Sequence, residues 1–366
     1  MSKICVMTSV HPARDVRIYH KQARSLAQAG NDVTLLNSFI EETDDVGIKF
    51  VKVSVAQSRF KRVLFGAKKM YKAALEQDAD IYHFHDPELY KTGLKLLKRG
   101  KVIYDVHEDV PMQLRDKPYL NPLVRKIWSK MFGRIEKKAA LKYSGIINAE
   151  EPVEQLFKQA GCKNTVTVGN FPILSELSCD DIAYSERKNK IGYIGSISKV
   201  RGITETVKSL EYIDSTLVLA GKFNEQKLFD ETSALESWQK VDFKGFVDRG
   251  EVREILKEIK VGLVTLYPIK NYINSFPVKM FEYMAAGIPV VCSDFPFWRE
   301  LLIGVDCALF VDPYDSKAIA DAVNKLLCDP GLAEKMGEEG KIAVKDRFNW
   351  DIEKAKLLKF YDDIVQ

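Results

Sequence analysis

Short apolar runs alternate with amphipathic stretches along the whole chain. In the first half the pattern predicts strands at 3–8, 32–36, 48–53, 80–84, 102–105, 145–148 and 165–168. Helices are expected between them at 18–29, with Gly30 as a C-cap, and near 61–77, 87–98, 121–143 and 151–160. The second half repeats the theme, with strands at 190–194, 216–220, 241–243, 261–266, 289–292 and 308–311. Helices fall near 202–212, 224–238, 249–258, 278–285 and 315–327, and a last amphipathic stretch follows at 352–364. Strands that alternate with helices and read as continuous apolar runs argue for α/β domains with parallel sheets covered on both faces. No repeat of fixed period emerges, which excludes a solenoid.

Periodicity lapses between Asn170 and about Ser185, and the domain boundary is placed there. The length of 366 residues suits two such domains, 1–172 plus 350–366 and 173–349, with the tail crossing back to the first. Two doubly wound domains would bind ligands at the C-terminal ends of their strands.

Composition sharpens this picture at three points. The net charge of +4 conceals a division: residues 1–170 hold 29 Lys and Arg against 19 Asp and Glu, and the remainder holds 26 against 32. A basic half implies an anionic partner. Arg59–Tyr71 and Arg125–Lys142 interleave cations with apolar residues at helical spacing, which suits an anionic membrane face as well as it suits ordinary core helices. No nucleic-acid module accompanies the charge, so nucleic acid is not expected as a partner. The apolar runs fall short of the roughly 20 residues that span a bilayer, and no secretory signal is expected. The six cysteines are scattered without CxxC spacing, which points to small buried residues in a reducing, cytoplasmic setting and to no metal site.

Two stretches carry candidate chemistry. Gly192-Tyr-Ile-Gly195-Ser196-Ile-Ser-Lys-Val-Arg201-Gly202 leads from a strand through small residues toward a helix, as a phosphate-approaching loop does, although an ordinary βα turn reads the same way. In Asn274-Ser-Phe-Pro277-Val278-Lys279-Met-Phe-Glu282, Pro277 suits a first helical turn whose free N–H groups, with Lys279, can hold a diphosphate. Glu282, one turn on, can accept from a ribose diol.

This second stretch resembles the nucleotide-sugar site of retaining GT-B glycosyltransferases of family 4. The likeness extends to His11-Pro-Ala-Arg-Asp15-Val-Arg17, to Tyr82-His-Phe-His85-Asp86-Pro87-Glu88, to Tyr104-Asp-Val-His107-Glu108-Asp109 and to Gly245-Phe246-Val-Asp-Arg249. The resemblance implies a GT-B fold, two Rossmann-like domains with an interdomain cleft. It also implies a metal-independent transfer, with retention, from a nucleoside-diphosphate sugar, with UDP favoured and no cofactor besides. The acceptor would be a saccharide or lipid-linked saccharide in surface polysaccharide synthesis, at the inner face of the plasma membrane. By the same likeness Glu282 holds the donor ribose. Arg201 and Lys279 neutralise the diphosphate, with Gly195, Ser196, Pro277 and Val278 along it and Phe246 beside the base. His107 would lie by the transferred sugar, and Arg17, His85, Asp86, Glu88 and Glu108 would line the acceptor side. The chain departs from the family pattern at Asn274, where the first Glu of the E-x7-E motif is expected, and at Ser196, where an Arg is usual. Those departures keep two other readings open, a sugar-nucleotide epimerase of the same fold and a non-catalytic sugar-nucleotide-binding subunit.

Overall fold

A computed structural model describes residues 1–39, 47–54, 66–115, 121–179 and 182–365. Its contacts divide the chain into two units, Met1–Asn170 with Asp351–Gln366, and Phe171–Trp350. The first boundary falls two residues before the expected one.

The first unit is a seven-stranded parallel sheet: β1 (Lys3–Thr8), β2 (Asp32–Asn37), β3 (Ile48–Lys52), β4 (Ile81–Phe84), β5 (Lys101–Val106), β6 (Gly145–Asn148) and β7 (Thr165–Thr167). Its order is β3-β2-β1-β4-β5-β6-β7. The central strands are buried along nearly their whole length, which is why they read as unbroken apolar runs. The helices are α1 (Arg24–Gln28), α2 (Ala67–Leu75), α3 (Tyr90–Leu96), α4 (Val110–Arg115), α5 (Pro122–Ala140) and α6 (Glu151–Gln159). The helix expected at 18–29 is wound differently: Val16–Ala23 is π-helical and passes into α1 only at Arg24. Asp15 caps it, its side chain accepting from the N–H groups of Arg17 and Ile18. Gly30 ends it with a φ of +87°, the left-handed conformation expected after a helix.

The second unit has six parallel strands: β8 (Lys190–Ile194), β9 (Thr216–Ala220), β10 (Val241–Gly245), β11 (Val261–Val264), β12 (Val290–Ser293) and β13 (Ala308–Val311). Their order, β10-β9-β8-β11-β12-β13, repeats that of the first unit. Both sheets therefore have the doubly wound order with a reversal beside the first strand, at β1/β4 and at β8/β11. The helices are α7 (Leu174–Leu177), α8 (Ile203–Ser209), α9 (Gln226–Ser233), α10 (Arg249–Glu258), α11 (Lys270–Ile273), α12 (Val278–Ala285), α13 (Pro296–Leu301), α14 (Ser316–Cys328) and α15 (Pro330–Arg347), and the last helix, α16 (Trp350–Val365), belongs from Asp351 onward to the first unit. The four short helices α4, α7, α11 and α13 lie where the sequence pattern predicts loops.

Helix α16 closes the first unit. Leu357, Phe360, Tyr361 and Ile364 are buried. The start of β6 is a glycine because the helix lies on it: a Cβ at Gly145 would stand 2.2 Å from Ile364 Cδ1 and 2.6 Å from Phe360 Cζ. The Glu353 carboxylate accepts from the Gly169 N–H at 2.6 Å, and Tyr361 Oη lies 2.7 Å from His83 Nδ1. Burial is worth roughly 1.5–3 kcal/mol per large side chain, so four of them approach the whole stability of a domain. Deleting 351–366 should therefore abolish the cooperative melting of the first unit while sparing the second. Calorimetry of the truncated protein checks this, and an unchanged first transition would contradict it.

Candidate functional site

In the first unit, the C-terminal ends of β1, β4 and β5 bring four histidines and several acids together. At the centre is Asp105, fully buried at the end of β5. Arg17, in the π-helical segment, donates to both of its oxygens, Nε to Oδ2 at 3.0 Å and Nη2 to Oδ1 at 2.8 Å. The third Arg17 nitrogen donates to the Val168 carbonyl at 2.7 Å, and the Gln22 amide donates to Asp105 Oδ2 at 2.6 Å. Burial by itself would raise the Asp105 pKa, but the Arg17 guanidinium and the hydrogen bonds overcome it, and the carboxyl is held well below its usual range.

The histidines gather around this pair. His85 Nδ1 lies 3.0 Å from His107 Nε2 and 3.3 Å from Asp105 Oδ2. Burial, with Arg17 and His85 nearby, lowers the His107 pKa against the pull of Asp105, so its ring is neutral at physiological pH. His11, whose ring centroid is 4.9 Å from that of His107, behaves oppositely. Burial lowers its pKa, but Asp15 and Asp86 more than compensate and the net shift is upward. Its Nδ1 is 3.6 Å from Asp15 and its Nε2 3.5 Å from Asp86.

Exposure sorts the residues expected here. The side chains of His11 and His107 are 31% and 20% accessible, Glu88 is half-buried and Glu108 is exposed, so these can meet a ligand. Arg17, His85 and Asp86 are buried. Asp86 is engaged by Thr8 Oγ1, by the Ser9 N–H at 2.5 Å and by Ser9 Oγ, which also donates to Glu88 at 2.7 Å. The structure thus gives these three residues a supporting place beneath the surface pair. His83, His85 and Asp105 also bring one potential metal-ligand atom each within 4.8 Å of one another. Arg17 and Gln22 already occupy the Asp105 oxygens, which makes this triad part of an ion-pair network.

In the second unit the chemistry gathers at the ends of β8 and β11. Gly195 adopts a φ of +138°, and a Cβ built on it would lie 3.4 Å from Lys279 Cε, so the lysine stem lies directly over this loop. Gly202 is left-handed, with its Cβ position 2.0 Å from the Thr265 carbonyl, a closeness only glycine permits. Arg201, just before it, sits 5.7 Å from the centroid of the Tyr272 ring. No carboxylate among the described residues pairs with this half-buried cation. Lys279 instead pairs with Glu282 one turn along α12, at 2.5 Å. Pro277 is buried immediately before that helix and Val278 begins it. Asn274 is exposed at the end of α11, Ser196 Oγ donates to Asn224 at 3.0 Å, and Phe246 is 82% exposed after β10.

Tyr283 holds this arrangement together and escaped the sequence reading. Its hydroxyl accepts from the Ile194 N–H at 3.0 Å and donates to the Gly192 carbonyl at 3.1 Å. It thereby ties α12, and with it Lys279 and Glu282, to β8. Its ring fills the space that a side chain at Gly262 would need.

Of the two basic stretches, residues 59–65 lie outside the described residues. The second is α5. Leu123, Ile127, Trp128, Met131 and Ile135 are exposed on it, so its apolar residues are not simply core. No helix among the described residues is long and apolar enough to cross a membrane.

Two family models match the chain, Glycosyltransferase Family 4 over residues 16–170 and Glycosyl transferases group 1 over residues 180–343. A phosphatidyl-myo-inositol mannosyltransferase of Mycobacterium leprae is 24% identical over 363 residues, spanning 96% of this chain and 91% of that protein. CapM of Staphylococcus aureus, a capsular polysaccharide biosynthesis glycosyltransferase, is 23% identical over 186 residues, 48% of this chain and 46% of its own. Among solved structures, sucrose-phosphate synthase from Thermosynechococcus elongatus superposes with a TM-score of 0.77 at 17% identity, covering 100% of this chain and 99% of that one. HepE of Anabaena in complex with UDP-glucose does so at 0.73 and 14%, covering 99% of this chain and 100% of that one.

The Arg17–Asp105 pair yields a pH-dependent expectation. Asp105 has a depressed pKa, so the stability it contributes is present above the ordinary aspartate pKa of about 4 and is lost as pH falls through the folded value. Arg17→Met leaves the carboxylate buried without its cation and should cost about 3–5 kcal/mol at pH 7. The deficit should shrink below about pH 4, where the unfolded-state carboxyl also takes up its proton. Denaturant titrations at pH 7 and pH 3.5 measure both, and equal deficits at the two pH values would contradict the assignment.

Proposed function

The chain belongs to glycosyltransferase family 4 of the GT-B fold, and on that footing we propose that it moves a sugar, with retention, from a nucleoside-diphosphate sugar to a saccharide or lipid-linked saccharide. The observation that carries the proposal is the pair of cations at the ends of β8 and β11. Arg201 has no acidic partner among the described residues, and Lys279 lies over the glycine loop at Gly195. An anionic diphosphate satisfies both. UDP is favoured because HepE, of the same fold, was solved with UDP-glucose.

In this reaction the bond from the anomeric carbon to the diphosphate oxygen breaks, and its electron pair stays with the diphosphate. An acceptor hydroxyl forms the new bond to that carbon, and its proton passes to the departing phosphate. Negative charge grows on the leaving group, where Arg201, Lys279 and the N–H groups of the first turn of α12 can meet it without a metal. Glu282 is freed from Lys279 when the diphosphate takes the lysine, and accepts from the ribose hydroxyls. His107, neutral, hydrogen-bonds a hydroxyl of the transferred sugar and is held in place by His85 and Asp105. The basic first unit and the exposed apolar face of α5 suit work on the cytoplasmic face of an anionic membrane. This agrees with the relatives named for phosphatidyl-myo-inositol and for capsular polysaccharide.

A calorimetric panel of UDP, GDP, ADP and TDP should show preferential binding of UDP. Glu282→Ala should weaken that binding by about 1.5–3 kcal/mol, the scale of a hydrogen bond to a charged group. Arg201→Ala should lower kcat more than it raises KM, because its contact strengthens as the diphosphate departs. A KM effect alone would make Arg201 a ground-state contact. Conversion of the free sugar nucleotide to its epimer would replace the transferase reading.

A further inference from the structure

A cavity of about 280 Å³ lies in the first unit between the end of β5 and helices α4, α5 and α6. Its walls are apolar, from Val106, Pro111, Met112, Val153, Leu156 and Phe157. Glu108 and Asp109, which follow His107 directly in the chain, also line it, as do the cations Arg115, Lys130 and Arg134. The cavity is a built feature. Ser129 Oγ donates to the Pro111 carbonyl at 2.6 Å and accepts from Arg115 Nε at 3.0 Å, fixing α4 to α5 and the arginine to the rim. Tyr104 Oη donates to the buried Glu136 carboxyl, another lining residue, at 2.9 Å.

The outer surface of α5 continues the arrangement. Lys126, Lys130, Arg134 and Lys138 recur every four residues and form one ridge, and Leu123, Ile127, Met131 and Ile135 form the ridge beside it. All eight are exposed, and no carboxylate among the described residues pairs with the four cations. Lys130 and Arg134 thus stand between the apolar cavity and the exposed apolar ridge.

We propose that this cavity seats the acceptor, and that the acceptor is an anionic amphiphile: a hydroxyl-bearing head, a phosphate and an alkyl chain. The lining supplies a group for each part of that ligand. The carboxylates of Glu108 and Asp109, beside His107, accept from the hydroxyls of the head. Arg115, Lys130 and Arg134 take the phosphate, an arginine being suited to bidentate contact with its oxygens. The wall of Met112, Leu156 and Phe157 covers the first segment of the chain, and the apolar ridge of α5 rests in the membrane from which the molecule enters. This inference rests on the transferase reading for the word acceptor, and on the cavity alone for the class of ligand.

Decyl phosphate below its critical micelle concentration is the probe, titrated calorimetrically against the full chain beside inorganic phosphate and neutral decyl maltoside. It should bind at least tenfold more tightly than either. K130E/R134E, both on the exposed ridge, should weaken it at least tenfold, and Met112→Trp, which fills the cavity, should do the same. Pelleting with phosphatidylglycerol vesicles should fall for K130E/R134E and stay unchanged for Met112→Trp. Equal affinity for inorganic phosphate would overturn the proposal, as would decyl phosphate binding that survives K130E/R134E. Vesicle pelleting lost in Met112→Trp would show that the cavity holds bulk lipid and would overturn it too. Should Met112→Trp fail to fold, the charge-reversed variant decides. UDP binding by the same samples keeps the two readings apart: its absence removes the donor assignment, whereas failure of decyl phosphate to bind beside intact UDP binding removes only this one.

Discussion

The first unit depends on one buried ion pair, Arg17 with Asp105. Two charges removed from water cost several kcal/mol each unless the geometry is close and every remaining donor is satisfied. Here both conditions hold, since the guanidinium uses all three nitrogens and Gln22 adds a donor to the aspartate. The pair joins the π-helical segment to β5 and to the end of β7, three places far apart in sequence. It also settles the charge of its neighbours: with Asp105 already matched by Arg17, a second cation gains little, and burial leaves His83 and His107 neutral. A neutral imidazole can donate from one nitrogen and accept at the other, and His107 uses Nε2 toward His85.

The second unit uses the same strand order for a different electrostatic end. Its polar lock is uncharged, the Tyr283 hydroxyl shared between the Ile194 N–H and the Gly192 carbonyl, both on β8. Its cations stay near the surface, with Arg201 against an aromatic ring and Lys279 against Glu282. One sheet topology therefore supports two kinds of site. In the first unit the Arg17 and Asp105 charges match each other within the core, and in the second Arg201 has no acidic partner among the described residues.

The sheets were legible in the sequence because parallel strands buried on both faces read as short apolar runs wherever they occur, and every one of the thirteen was located. The short helices α4, α7, α11 and α13 were not, since four to six residues are too few to establish a period of 3.6. The π-helical winding of Val16–Ala23 leaves the apolar spacing close to that of an ordinary helix. The motif residues around Gly195 and Pro277 were legible because glycine and proline declare backbone geometry locally. Asp105 and Tyr283 were not singled out, because their partners lie 88 and 91 residues away. The character of α5 was undecided for another reason. Cations interleaved with apolar residues look the same whether the apolar side faces a core or lies open.

The position of α16 ties the two units together in time. A chain emerging from the ribosome folds its N-terminal domain first as a rule, at roughly 5–20 residues per second. Here the strand at Gly145, the N–H of Gly169 and the ring of His83 all wait for a helix that begins at Trp350. The second unit is complete before that helix exists. The first unit, begun earlier, is finished later, so its histidine network assembles only on a chain that has already built its partner. Translation that stops before Trp350 leaves the basic half without its closing layer.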